Sequence, residues 1–137
     1  MKKFLVCLIS ALTICTCCFF AACLEREPVK ADENTVVITA TDKSYDFNEK
    51  TLKDYMDHLQ QNGKLTYSIS NGFVTEINGK SQTLSSYWML YTDDTENADS
   101  EWGEIEYEGT VYASAKLGAE ALTVKEGCIY IWAYQTF

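Results

Sequence analysis

Histidine, proline and usable cysteine are scarce in this chain, and acids outnumber cations nearly two to one. One histidine, His58, and one proline, Pro28, occur in 137 residues. A lone histidine excludes a histidine-built metal centre. No Gly-x-Ser-x-Gly, His-Glu-x-x-His or phosphate-loop pattern accompanies it, so a non-enzymatic protein is expected. Of six cysteines, Cys7, Cys15, Cys17 and Cys18 lie in the N-terminal apolar run and Cys23 ends it. Cys128 is therefore alone in the remainder, which excludes an internal disulfide and a cysteine zinc site there. It enters a strand, where a buried, inert thiol is expected. The formal charge of −9 excludes an electrostatic nucleic-acid partner, because such a surface repels phosphates.

What the chain has in plenty is an export segment. Lys2 and Lys3 precede an unbroken apolar run from Phe4 to Ala22 that ends in small residues. That is the layout of a secretory signal. Ala21-Ala22-Cys23 resembles the bacterial lipobox, although Phe20 stands where that motif usually has Leu. The resemblance implies a signal peptide over residues 1–22 and diacylation of Cys23. The protein would then be held by lipid on the extracellular face of the bacterial cell membrane. An uncleaved signal anchor and ordinary cleavage are the alternatives, since the run approaches the ~20 residues that span a bilayer. Removal of residues 1–22 leaves 115 residues, enough for one domain, and moves the charge from −9 to −11. Membrane association must then come from the lipid rather than from surface charge.

Residues 23–34, with Pro28, read as a polar spacer, and residues 35–137 as the folded domain. Thr35–Thr41 is β-branched and predicts a first strand. Thr51 and Asp54 form a capping-box pattern, and Leu52, Tyr55, Met56 and Leu59 give one apolar helical stripe that stops at Asn62-Gly63. His58 lies off that stripe and reads as a solvated helix residue. Lys64–Ser70 and Phe73–Ile77 alternate around Asn71-Gly72, and Asn78-Gly79 is a second tight turn. Tyr87–Thr92 and Ile129–Tyr134 are the strongest strands. The expected fold class is α+β, with a β-grasp, ubiquitin-like sheet of about five strands and one packed helix. On the last strand, Ile129, Ile131 and Ala133 suit the core under the helix. Tyr130, Trp132 and Tyr134 would face the long segment 92–121, or a partner. That segment reads as an inserted hairpin or a structured lid, with Glu108-Gly109 as its turn.

Three stretches carry a more specific resemblance. They are residues 71–79 (NGFVTEING), residues 86–91 (SYWMLY) and residues 122–127 (LTVKEG), the last set before a final apolar strand. Together, and in this order, they resemble the C-terminal domain of transcobalamin and intrinsic factor, a domain also carried by bacterial surface lipoproteins. The resemblance covers about Thr35 to Tyr134. It implies a binding domain with cobalamin or another corrinoid as candidate ligand, passed to a transporter. No cofactor is required. In transcobalamin this domain closes over cobalamin held largely by a helical domain that is lacking here. The segment 92–121 also departs from the family's short hairpin.

The residues expected at a ligand are Tyr87, Trp88, Trp102, Tyr112 and Trp132, with Trp88 and Trp132 also fitting a core role. Oxygens at Asp93, Asn97 and Asp99 alternate like the start of a calcium loop and would hold calcium only weakly. Ala98 stands where an EF-hand turn needs glycine, and a solvated acidic loop is the simpler reading. The alternative function is a tethered module for protein or glycan contact, binding another surface protein with no small ligand.

Overall fold

The computed structural model describes residues 26–137, so the signal segment and Cys23 lie outside the described residues. The strands are β1 (Val29–Ala31), β2 (Thr35–Thr39), β3 (Tyr67–Ser70), β4 (Phe73–Ile77), β5 (Lys80–Ser81), β6 (Ser86–Thr92), β7 (Ala98–Tyr107), β8 (Thr110–Ala115) and β9 (Ile129–Thr136). One helix, α1 (Leu52–Gln61), stands between β2 and β3. The class is α+β. Instead of one sheet of about five strands there are two: a six-stranded sheet in the order β1-β2-β9-β6-β8-β7 and a small β3-β4-β5 sheet. All pairings are antiparallel.

Local chemistry explains the elements. The Thr51 side chain accepts the Asp54 N–H while the Asp54 carboxylate accepts the Thr51 N–H, which satisfies two of the donors a helix start leaves open. Leu52, Tyr55, Met56 and Leu59 are all buried. Gly63 takes φ +69° just past the Asn62 cap and ends the helix. The segment read as a spacer contains strand β1, whose Lys30 lies opposite Val37 of β2.

Both faces of the large sheet are covered, and the two rows of β9 are the reverse of the expectation. Tyr130 and Trp132 lie in the core beneath α1 with Val36, Ile38, Trp88 and Leu90, and Tyr134 packs against it. Ile131 and Ala133 lie on the opposite face with Val37, Tyr91 and Tyr112. The reason is reach. A helix stands off a sheet, and the wide gap suits rings whose polar tips find backbone partners at its margin. Tyr130 Oη accepts the Lys125 N–H at 2.8 Å, Tyr55 donates to the Thr39 carbonyl at 3.1 Å, and Tyr134 donates to the Ser81 carbonyl at 2.9 Å. On the other face, the β7–β8 hairpin brings Tyr112, Ile105 and Tyr107 against the short side chains.

The hairpin also rolls the sheet. Its tip reaches the opposite edge strand, where Lys30 pairs with the Glu108 carboxylate and sits 5.8 Å from the centre of the Tyr107 ring. Glu108 and Gly109 have φ +48° and +80°, the same left-handed pair as Asn71-Gly72 and Asn78-Gly79. Asparagine favours the first of those positions, which glutamate occupies at a conformational cost. Glu108→Asn is therefore expected to leave stability unchanged or raise it by up to about 1 kcal/mol, since the exposed ion pair it deletes contributes little. Urea unfolding would check this. A loss well beyond 1 kcal/mol would show that the Lys30 pair, rather than apolar packing, holds the roll closed.

Candidate functional site

A groove of about 490 Å³ opens where the hairpin meets the β1–β2 edge. Its apolar wall is Val37, Ile129 and Tyr112, and Thr39 and Thr110 add hydroxyls. Lys30, Glu108 and Arg26 place charge at the rim. The Glu108 carboxylate holds the Lys30 pKa above its ordinary value, and Lys30 lowers that of Glu108, so both stay charged over the neutral range. Burial pushes the Tyr112 phenol up, which keeps it a neutral donor and acceptor there. A concave surface with an apolar wall and a few polar groups is the usual form of a small-molecule site.

The residues singled out from sequence do not converge on one place. Trp88 is 6% exposed in the helix-side core; its indole donates to the Lys80 carbonyl at 2.8 Å and meets Tyr134 edge-on at 5.2 Å. Trp132 is buried in the same core, with its indole N–H unpartnered among the described residues. Tyr112 belongs to the opposite cluster and reaches the groove. Only Tyr87 and Trp102 are exposed. Tyr87 lies near the C-terminal end, 6.2 Å from the Phe137 ring. Trp102 rides a four-residue bulge, since Asp99 faces Ser114 and Glu104 faces Ala113 with nothing opposite residues 100–103. It is 67% exposed beside Gly103 at φ +125°.

The acidic segment folds around a different residue from the expected three. Asp94, 2% exposed, accepts the Glu96 N–H at 3.2 Å and the Asn97 side-chain amide at 2.7 Å, with Lys125 at 3.7 Å. Asp93 accepts the Ile129 N–H and Asp99 the Glu101 N–H. Asp93 and Asp99 thus each fix a backbone N–H, while the Asn97 amide bonds Asp94. Among the described residues no three histidine, cysteine or acidic side chains are grouped to hold a metal.

His58 is only partly solvated. Its Nε2 lies 2.8 Å from Asp42, its ring is 4.6 Å from that of Tyr45, and Asp42 also accepts from Ser44. Those bonds hold the Asp42 carboxyl below its usual range, with Ser44 the larger cause. Cys128 is partly buried and its thiol is pushed up, chiefly by burial and then by Asp93 and Asp94. That is the environment of an inert cysteine.

Residues 49–96 match a family described as Domain of unknown function (DUF4430). No curated protein and no solved structure matches the chain. The matched stretch holds α1, the small sheet and β6, which form much of the helix-side core. The groove-lining residues all fall outside it.

The sequence reading missed Lys30, Val37, Tyr107 and Thr110. The turn at Glu108-Gly109 was visible, and Val-Lys-Ala after Pro28 has the alternation of a short strand. Nothing local says that these two segments, nearly eighty residues apart, meet across the roll.

No helix among the described residues is long and apolar enough to cross a membrane.

Proposed function

We propose that the protein is a lipid-tethered extracellular binding module, without enzymatic activity, that captures a small ligand in the groove between the β1–β2 edge and the β7–β8 hairpin. The observation that carries this reading is the groove itself: concave, apolar-walled and rimmed by a Lys–Glu pair. The resemblance of residues 71–79, 86–91 and 122–127 to the transcobalamin C-terminal domain makes a corrinoid the first ligand to test. It also supports reading the fold as a β-grasp variant. In its favour, β2 and β9 lie side by side in the sheet and one helix packs on it. Their antiparallel pairing is a departure from the ubiquitin arrangement. A corrinoid is larger than the groove and would lie across its mouth. Presentation to a transporter follows from tethering, since the described chain enters at Arg26–Pro28, where the Thr39 N–H bonds the Pro28 carbonyl beside the groove.

The second reading, contact with another surface protein or a glycan, is favoured by Leu84, Tyr87 and Phe137. All three are exposed, with the Tyr87 hydroxyl bonded to the Leu84 carbonyl and the Phe137 N–H to that of Ser85. The register of β9 puts this patch at the opposite end of the sheet from the groove.

Equilibrium dialysis of the detergent-solubilised full chain against aquocobalamin and a corrinoid lacking the lower base tests the first reading. Saturable micromolar binding is expected, weakened at least about tenfold by Thr110→Trp, which fills the groove from an exposed lining position. Binding unaffected by that substitution would move the site elsewhere. An absence of binding up to high micromolar would end the corrinoid reading and leave the Tyr87 patch as the working surface.

A further inference from the structure

The large sheet ends in an open edge. β7 is the last strand in its order, paired with β8 on one side and with no strand on the other among the described residues. At ten residues it is much longer than β1, the three-residue strand at the opposite edge. The roll meets β7 at the hairpin tip, where Lys30 contacts Glu108 and Tyr107. We propose that residues 100–106, short of that tip, form a docking surface for an extended lysine- or arginine-bearing segment of another protein. The inference is independent of the ligand groove and of the Tyr87 patch.

Charge makes the first argument. No lysine, arginine or histidine occurs between Lys80 and Lys116, while eight of the twenty acids do. Five of the eight have a partner, from the Ile129 N–H at Asp93 to Lys30 at Glu108. The other three, Glu101, Glu104 and Glu106, all lie exposed on β7, with no ion pair or side-chain hydrogen bond among the described residues. Glu104 lies opposite Ala113 and Glu106 opposite Val111, so both carboxylates rise from one face, about 7 Å apart, beside the exposed Val111. Like charges so placed repel, and a cationic segment laid along the strand relieves them.

Trp102 makes the second. Carboxylates and a bulge are also the means by which proteins guard an open edge against pairing with copies of themselves. A guarded edge has no use for an exposed indole, yet Trp102 is 67% exposed in the bulge, its N–H without a partner among the described residues. Indole is the best of the aromatic side chains for receiving a lysine or arginine cation on its face. A second copy of this chain is a poor occupant, because edge-to-edge pairing would set the same unpaired carboxylates against one another in a protein of charge −9. A cationic strand from a different protein meets every feature. Its backbone would pair with the outer edge at residues 104–106, alternate side chains would meet Glu104 and Glu106, and a further cation would lie over Trp102.

The test titrates the full chain in nonionic detergent, at low ionic strength, with two capped hexapeptides, alternating Lys-Val and alternating Arg-Thr. An alternating Glu-Val hexapeptide reverses the charge. The Lys-Val peptide N-methylated at every residue keeps the charge and removes the backbone donors. Saturable calorimetric binding of at least one cationic peptide is expected, with none of the Glu-Val peptide. Glu104→Gln/Glu106→Gln, Trp102→Ala and N-methylation should each weaken it at least about tenfold. Glu120→Gln/Glu126→Gln removes the same charge from exposed positions elsewhere and should leave it unchanged. Hydrogen exchange of the amides at residues 104–106 should slow in the complex, and thermal melts establish that all variants are folded. Failure of both cationic peptides up to about 1 mM overturns the proposal, as does equal weakening by the two double variants or equal binding of the N-methylated peptide. Self-association of the protein alone that Trp102→Ala abolishes would assign the edge to a second copy and overturn it too.

Discussion

Tyr130→Ala should destabilise the domain by about 3–5 kcal/mol, while Tyr130→Phe should cost only about 1–2 kcal/mol. Tyr130 is completely buried in the centre of the helix-side core, between the β2 and β6 neighbours of β9. The alanine variant loses the ring and leaves a cavity that the surrounding Ile38, Leu122 and Val124 can only partly collapse into. The phenylalanine variant keeps the packing and removes one acceptor, so that the Lys125 N–H, bonded to Tyr130 Oη at 2.8 Å, is left without its partner. The difference between the two therefore measures packing separately from hydrogen bonding. Domains of this size have about 5–15 kcal/mol in total, so Tyr130→Ala is expected to be largely unfolded at modest urea. Equal losses in the two variants would mean that the turn at Lys125, rather than the ring, is what Tyr130 supports.

The second large effect is alkaline. Burial raises the phenol pKa of Tyr55 to about 12, and it raises that of Tyr130 further. Tyr67 is also raised, by burial and then by the Asp57 carboxylate to which it donates. In the unfolded chain these groups ionise near pH 10. Above that pH the unfolded state has released protons that the native state still holds, so stability falls as pH rises. Below it the contribution is intact. Tyr55 and Tyr130 are both fully buried, and each should remove about 1.4 kcal/mol per pH unit between about pH 10 and 12. Together they give a slope near 3 kcal/mol per unit, to which Tyr67 adds with the same sign. The lysine ion pairs lose charge in that window too, but they are solvent-exposed and contribute little. Urea unfolding at a series of pH values, with tyrosinate absorbance in parallel, would show this. Tyr55→Phe should reduce the slope by about one phenol's share. A flat profile would mean that the phenols ionise as readily in the native state as in the unfolded chain.

The elements that announced themselves were those whose signal is local. The Thr51–Asp54 box, the stripe from Leu52 to Leu59 and the turns at Asn71-Gly72, Asn78-Gly79 and Glu108-Gly109 all formed as their chemistry requires. Alternation in Ile129–Tyr134 correctly said which residues share a face. It could not say which face the helix would take, because both rows are apolar enough to be buried. Trp88 illustrates a second limit. A tryptophan beside a tyrosine on a strand fits a ligand platform or a core, and what decides is whether a backbone carbonyl, here that of Lys80, happens to meet its indole N–H. His58 is a third case. Its partner Asp42 is sixteen residues away in a loop, and no helical periodicity reports on that. The groove is a product of the roll and of Arg26–Pro28 lying back against β2. It exists only at the level of tertiary closure.

The pairing of β2 with β9 has a consequence for the order in which the molecule can be assembled. Thr35 lies opposite Ala133, so the middle of the sheet joins segments ninety-eight residues apart. Until β9 arrives, β2 lacks its long neighbour, β6 lacks the strand to which it is registered over all seven of its residues, and the helix lacks the rings beneath it. Closing so long a loop is entropically expensive and slow. Early segments can form the helix and the small Asn-Gly hairpins, but they have no stable platform to settle on. Such a chain stays pliable during synthesis, which would suit the export proposed for it. The arrival of its last strand is then the event that commits it to a shape.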